Sequence, residues 1–152
     1  PFGLEKLWVF DPNDESNSSI VKTAVSTPDR KGVWSIWIHS NSRFVFSVYE
    51  KRMSPQELLD LMTRNGWTRG QPIVLYACNT GRGENSFAEN LSKISGSQVI
   101  APTARVWVKD NKVQGVWEPL EDRNGQYKNG PRGSLIPDKS KRGHWKSFGG
   151  NK

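Results

Sequence analysis

The sequence predicts an α/β domain: a central, mostly parallel sheet flanked by helices, with a β-hairpin and a basic, irregular C-terminal tail. Three observations predict it. Short runs rich in Val, Ile and Trp end at turn-forming residues, as buried strands do. Two segments carry helical periodicity behind a Ser-x-x-Glu start signal. From residue 33 to 101 these alternate as strand, helix, strand, helix, strand, the order produced by right-handed crossovers over a parallel sheet.

The elements follow in order. Leu7-Trp8-Val9-Phe10 reads as a short buried strand closed by Asp11-Pro12-Asn13-Asp14. Residues Ser19 to Ser26 read as a second strand, ended by Thr27-Pro28-Asp29. Val33 to Ile38 is the third, and Phe44 to Tyr49 a further β-like run. Ser54-Pro55-Gln56-Glu57 then combines a capping box with proline at the first helical position. Leu58, Leu61 and Met62 recur at helical spacing, and Asn65-Gly66 stops the helix. The strand Pro72 to Ala77 follows. Ser86-Phe87-Ala88-Glu89 repeats the capping pattern, with Phe87, Leu91 and Ile94 predicted on one apolar face and Gly96 as the stop. Gln98 to Ala101 is the next strand, and residues 105–109 and 112–117 form a hairpin about Asp110-Asn111.

The 152 residues fit one domain, a core over residues 1–118 and an extension over 119–152. The extension holds six glycines, three prolines and eight Lys/Arg against three Asp/Glu, so +5 of the chain's +7 lies there. Trp145 and Phe148 need somewhere to dock, which predicts a clasp across the domain. A mean hydropathy of −0.70 describes a polar chain. No apolar run approaches the roughly 20 residues that cross a bilayer. Pro1 to Lys6 shows no basic stretch before an apolar one, so no signal peptide is expected. A single cysteine excludes an internal disulfide framework and fits a reducing compartment. A pI near 9.7 points to acidic partners, whether nucleic acid, lipid or protein.

That cysteine is the sharpest functional clue. Cys78 ends one buried strand and His39 ends another, and in parallel α/β sheets functional groups gather at the carboxyl ends of strands. A thiol and an imidazole there read as nucleophile and general base, the thiol further activated by the helix that starts soon after it. The loop Asn79, Thr80, Gly81, Arg82, Gly83 supplies candidate oxyanion and substrate contacts, with Gly81 and Gly83 expected to offer free N–H groups. The competing reading is structural: a cysteine after a β-run as a small core residue, and the histidine as a hydrogen-bonding side chain. A third, orienting group is not legible, although Glu50 and Asp60 are available.

Other signals are weaker. Asn79 to Glu84 is a glycine-rich turn before a helix, yet lacks the Gly-Lys-Ser/Thr ending of a phosphate loop. Two histidines and one cysteine form no ligand spacing, so neither metal nor cofactor is expected. Lys139, Lys141, Arg142 and Lys146, beside His144 and Trp145, form a basic surface able to grip a phosphate backbone, with His144 and Glu118 or Asp138 as conceivable acid–base groups.

Two resemblances give these residues a context. Pro1-Phe2-Gly3-Leu4 resembles the end of the Asp-Pro-Phe-Gly-Leu motif that closes the core of Rhs proteins. That resemblance implies a polymorphic toxin domain, released from a large shell, delivered by contact-dependent secretion into a target-cell cytoplasm and neutralised by a cognate immunity protein. Residues 33 to about 108 resemble caspase-like (clan CD) cysteine peptidases, whose pattern reads here as Ile38-His39-Ser40 and Tyr76-Ala77-Cys78. It implies His39 as general base, Cys78 as nucleophile and a target-cell protein as substrate. Ser40 stands where that family carries a glycine lining the oxyanion region. The expected activity is therefore a cysteine-dependent hydrolase. The alternative is a basic nuclease acting on RNA or DNA through the C-terminal surface.

Overall fold

The computed structural model describes residues 5–129 and 135–149; the Pro1-Phe2-Gly3-Leu4 motif lies outside them. Its elements are β1 (Lys6–Val9), a 3-10 turn (Glu15–Asn17), α1 (Ser18–Ser26), β2 (Trp34–Ile38), β3 (Val45–Phe46), β4 (Arg52–Met53) and α2 (Pro55–Arg64). There follow β5 (Ile73–Tyr76), α3 (Phe87–Ser95), β6 (Val99–Pro102), β7 (Arg105–Lys109), β8 (Lys112–Pro119), β9 (Pro137–Arg142) and β10 (Trp145–Phe148). The main sheet runs β1-β2-β5-β6-β10, with parallel pairing from β1 to β6 and β10 antiparallel to β6. The fold is thus mixed α/β with a mostly parallel sheet, flanked by helices and antiparallel β-ribbons.

Strand alternation divides the core between the two faces of this sheet. Leu7 and Val9, Trp34, Ile36 and Ile38, and Ile73, Leu75 and Ala77 join the larger apolar cluster with Leu58 and Met62 of α2 and Phe87 and Leu91 of α3. Phe10 and Trp37 face the other way, packing with Ala24, Ile20 and Val21 of α1 and with Val113 of β8. The helix starts are built as the sequence predicts. Ser54 Oγ accepts the Glu57 N–H at 3.2 Å, while Glu57 Oε1 accepts the Ser54 N–H at 3.0 Å. Ser86 Oγ accepts the Glu89 N–H, and Gly96 ends α3 at φ 67°. The β7–β8 turn places Asp110 and Asn111 at φ 53° and 61°, the left-handed pair a two-residue hairpin needs.

Four expectations are corrected. Residues 18–26 form helix α1, not a strand. Their β-branched residues favour extension, but β1 and β2 are parallel, and a parallel pair needs a crossover between its strands. The run from Phe44 to Tyr49 pairs only at Val45 and Phe46, because the chain turns at once and leaves Tyr49 83% exposed. On α3, Ile94 is exposed; the buried face is Phe87, Ala88, Leu91, Ser92 and Ser95. The C-terminal segment is not irregular throughout: β9 pairs with β8, and β10 extends the main sheet. It is the clasp the aromatics foretell, with Phe148 buried and Trp145 edge-on to Tyr76 at 5.4 Å.

Candidate active site

The central strands β2 and β5 are in register from Trp34↔Ile73 to Trp37↔Tyr76, so both end at the same edge. His39 follows β2 directly. Cys78 follows β5 by two residues, in a tight turn where Thr80 Oγ1 donates to Ala77 O at 2.8 Å. Ser40 Oγ donates to Cys78 O at 2.7 Å and ties the two strand ends together. By alternation His39 continues the face that carries Trp37, the side covered by α1. Cys78 Sγ is on that side too, accepting the Val106 N–H of β7 at 3.4 Å, and β7 packs on α1. Below them Trp37 and Tyr76 stack with ring centroids 3.9 Å apart.

The imidazole is oriented by a residue with no evident sequence signal. His39 Nε2 lies 2.7 Å from Oδ1 of the buried Asn17. Asn17 Nδ2 donates to Asp11 O at 3.2 Å, which sets the amide so that Oδ1 faces the ring. An amide oxygen only accepts, so Nε2 carries the proton and Nδ1 keeps its lone pair. Phe10 meets the ring edge-on at 4.8 Å. Desolvation there, reinforced by the Arg105 guanidinium, lowers the His39 pKa from 6.5, against the opposing carboxylates of Glu50 and Asp14. The ring is therefore mostly neutral at pH 7, as a base must be.

The structure brings His39 and Cys78 to one edge of the sheet, each held by other partners. Among the described residues no hydrogen bond joins Cys78 Sγ to the imidazole. A cleft of about 270 Å³ opens beside His39, lined by Phe10, Asn17, Phe46, Val48 and Glu50 among others; Cys78, held to the Val106 N–H of β7, does not line it. Asp60 Oδ1 accepts the Gln56 side-chain N–H at 2.9 Å on the exposed face of α2.

The glycine loop serves the fold more than the site. Asn79 N–H donates to Ala104 O, Thr80 N–H to Ala77 O, Gly81 N–H to Pro102 O and Arg82 N–H to Asn79 O. These four are not oxyanion donors. Gly81 is required by closeness, since a Cβ there would lie 2.8 Å from Ala101 O. Thr80 is fully buried, and Gly83 turns the chain at φ 76°. The Gly83, Ser40 and Cys78 N–H groups, by contrast, donate to no acceptor among the described residues, the last two standing one at each strand end.

The predicted basic surface is divided. Lys139 Nζ sits 3.6 Å over the Trp117 ring, and Lys146 Nζ 5.1 Å over Phe148 on a different sheet. Lys141, Arg142 and His144 line a groove of about 570 Å³ with Arg82, Glu118 and Glu121. Arg82 grips Glu118, with Nη1 2.9 Å from both carboxylate oxygens. Asp138 is held by Ser140 instead. Among the described residues no cluster of three His, Cys, Asp or Glu side chains could hold a metal ion, and no helix is long and apolar enough to cross a membrane.

Arg105 joins Asn17 among the residues that sequence reasoning missed; both act from elements far from His39 in the chain. No curated protein matches this chain, and neither does any solved structure. Residues 6–129, from β1 through β8 and with both His39 and Cys78, match the family described as "Domain of unknown function (DUF8616)", and the chain belongs to that family.

Proposed function

We propose that this domain is a cysteine-dependent hydrolase that cleaves a peptide bond in a target protein. The observation that carries the reading is the pairing of Cys78 and His39 at the ends of adjacent parallel strands, with Asn17 holding Nε2 so that Nδ1 is the free base. By this mechanism His39 Nδ1 takes the thiol proton as Cys78 Sγ attacks the carbonyl carbon. The Ser40 and Cys78 N–H groups receive the developing oxyanion. The imidazolium then protonates the leaving amine, and the C–N bond breaks to leave a thioester. Water, deprotonated by His39, hydrolyses that thioester and regenerates the thiol. The mechanism requires Cys78 Sγ to come within hydrogen-bond distance of the ring when substrate binds, as catalytic hydrogen bonds often tighten only then.

This reading agrees with a caspase-like arrangement and, through the Pro1-to-Leu4 resemblance, with an antibacterial Rhs-type toxin effector restrained by an immunity protein and acting in the target cytoplasm. Wild type, Cys78→Ala and His39→Ala expressed in a sensitive host test it. Loss of toxicity and of target fragments in both folded variants is expected; full toxicity of folded Cys78→Ala overturns it. The groove holding Arg82, Lys141, Arg142, His144 and Glu118 favours a second reading, a nuclease. That reading expects degraded RNA or DNA in intoxicated cells and toxicity that survives Cys78→Ala but not His144→Ala.

A further inference from the structure

The geometry points to Glu50 as a specificity-determining residue: the cleft beside His39 receives an arginine or lysine side chain of the substrate, with its stem on an apolar floor and its cationic head toward Glu50. This inference rests on the hydrolase reading for its biological meaning, but the recognition can be measured without cleavage. Three observations support it.

The first is shape and chemistry together. Phe10, Phe46 and Val48 give the cleft an apolar floor, and Glu50 stands on its wall. An apolar stem carrying a charged head is the side chain that fits such a lining. The second is charge. Through Phe10, Asp11, Asn17 and Val48 the cleft continues into a wider groove of about 900 Å³ that adds Asp14 and Glu15. Among the residues lining the cleft and the groove, Asp11, Asp14, Glu15 and Glu50 stand against a single cation, Lys22, with Arg105 close enough to act on His39, an acidic surface on a chain of net charge +7. Asp14 stays ionised well into acid, its carboxylate being held by the Ser16 hydroxyl and N–H. The third is position. Glu50 sits at φ 60°, a left-handed conformation disfavoured for a side chain of this kind, in a turn closed by Glu50 N–H to Ser47 O and Ser47 N–H to Lys51 O. Its charge is felt at the imidazole, where it opposes the Arg105 effect.

The test uses full-length Cys78→Ala, which binds without cutting, and three labelled peptides differing at one residue: Arg, Leu or Glu. Fluorescence anisotropy is expected to show the Arg peptide bound at least about tenfold more tightly than the others, as a charge-assisted contact provides. Adding Glu50→Gln should remove about that tenfold, and Glu50→Lys should move the preference to the Glu peptide. A second control, Arg142→Gln in the other groove, which shares no lining residue with the cleft, should leave the preference intact. Equal binding of the three peptides, or an Arg preference that persists in folded Glu50→Lys, overturns the inference. Incubating wild type with the same peptides separates the two claims: an Arg preference without cleavage retains the recognition site and removes the peptidase reaction, while cleavage without preference does the reverse.

Discussion

The two faces of the central sheet are built for different purposes. The face under α2 and α3 is closed and apolar: Ile36, Leu58, Ile73, Leu75, Leu91 and Val99 are all completely buried. The face under α1 and the β7–β8 hairpin has a smaller apolar cluster, a stacked Trp37–Tyr76 pair, and the polar groups of the candidate site. Both are drawn from the same strands by alternation. On the hydrolase reading, the difference teaches that a thin sheet can separate stability from chemistry: one face supplies burial, and the other leaves an imidazole and a thiol incompletely covered.

That contrast can be broken or sharpened experimentally. The largest effect is expected at the open face, where Cys78→Ala or His39→Ala should lower turnover by about 10³-fold or more, measured on a cleaved target. Stability should hardly change, because Cys78 gives up only one long contact to the Val106 N–H. The closed face should behave oppositely. Leu75→Ala is expected to cost about 2–5 kcal/mol in denaturant unfolding and to spare the activity of the molecules that remain folded. A Leu75→Ala protein of unchanged midpoint would erase the distinction.

Asn17→Ala comes next, with an expected loss of about 10²-fold in turnover as the ring loses its orientation. Asn17→Asp sharpens the point. A carboxylate at Nε2 favours imidazolium, so the His39 pKa should rise and the acid limb of the rate profile should move to higher pH. A limb that stays in place would remove Asn17 from the role given to it.

The smallest effects are shifts of that limb in single-charge variants. In wild type it should lie below pH 6.5, because desolvation and Arg105 lower the His39 pKa. Arg105→Gln should move it up and Glu50→Gln down, since these charges act with opposite sign. The same lowering bears on stability. As pH falls through 6.5 the unfolded chain takes up the proton before the folded one does, so His39 costs stability on acidification.

Much of residues 33 to 111 is legible in local chemistry. Capping serines, the Gly96 stop and the Asp110-Asn111 turn depend on near neighbours and are where the sequence puts them, whereas the run from Phe44 to Tyr49 pairs only at Val45 and Phe46. Helix α1 was misread because Ile20, Val21, Thr23 and Val25 favour extension locally, and only the parallel pairing of β1 with β2 demands a helix. The site divides in the same way. The strand-end positions of His39 and Cys78 follow from periodicity, whereas the occupied N–H groups of Asn79 and Gly81 depend on the carbonyls of Ala104 and Pro102, more than twenty residues away in the chain.

The sequence alone determined the alternation that builds a parallel sheet and the arrival of a thiol and an imidazole at one edge of it, because both are consequences of periodicity and short-range turn chemistry. Tertiary structure alone decided which imidazole nitrogen is free, which N–H groups stay unpaired and which charges surround His39. Asn17 lies 22 residues from His39 and Val106 lies 28 from Cys78, and no local rule connects side chains across such distances until the sheet has brought them together.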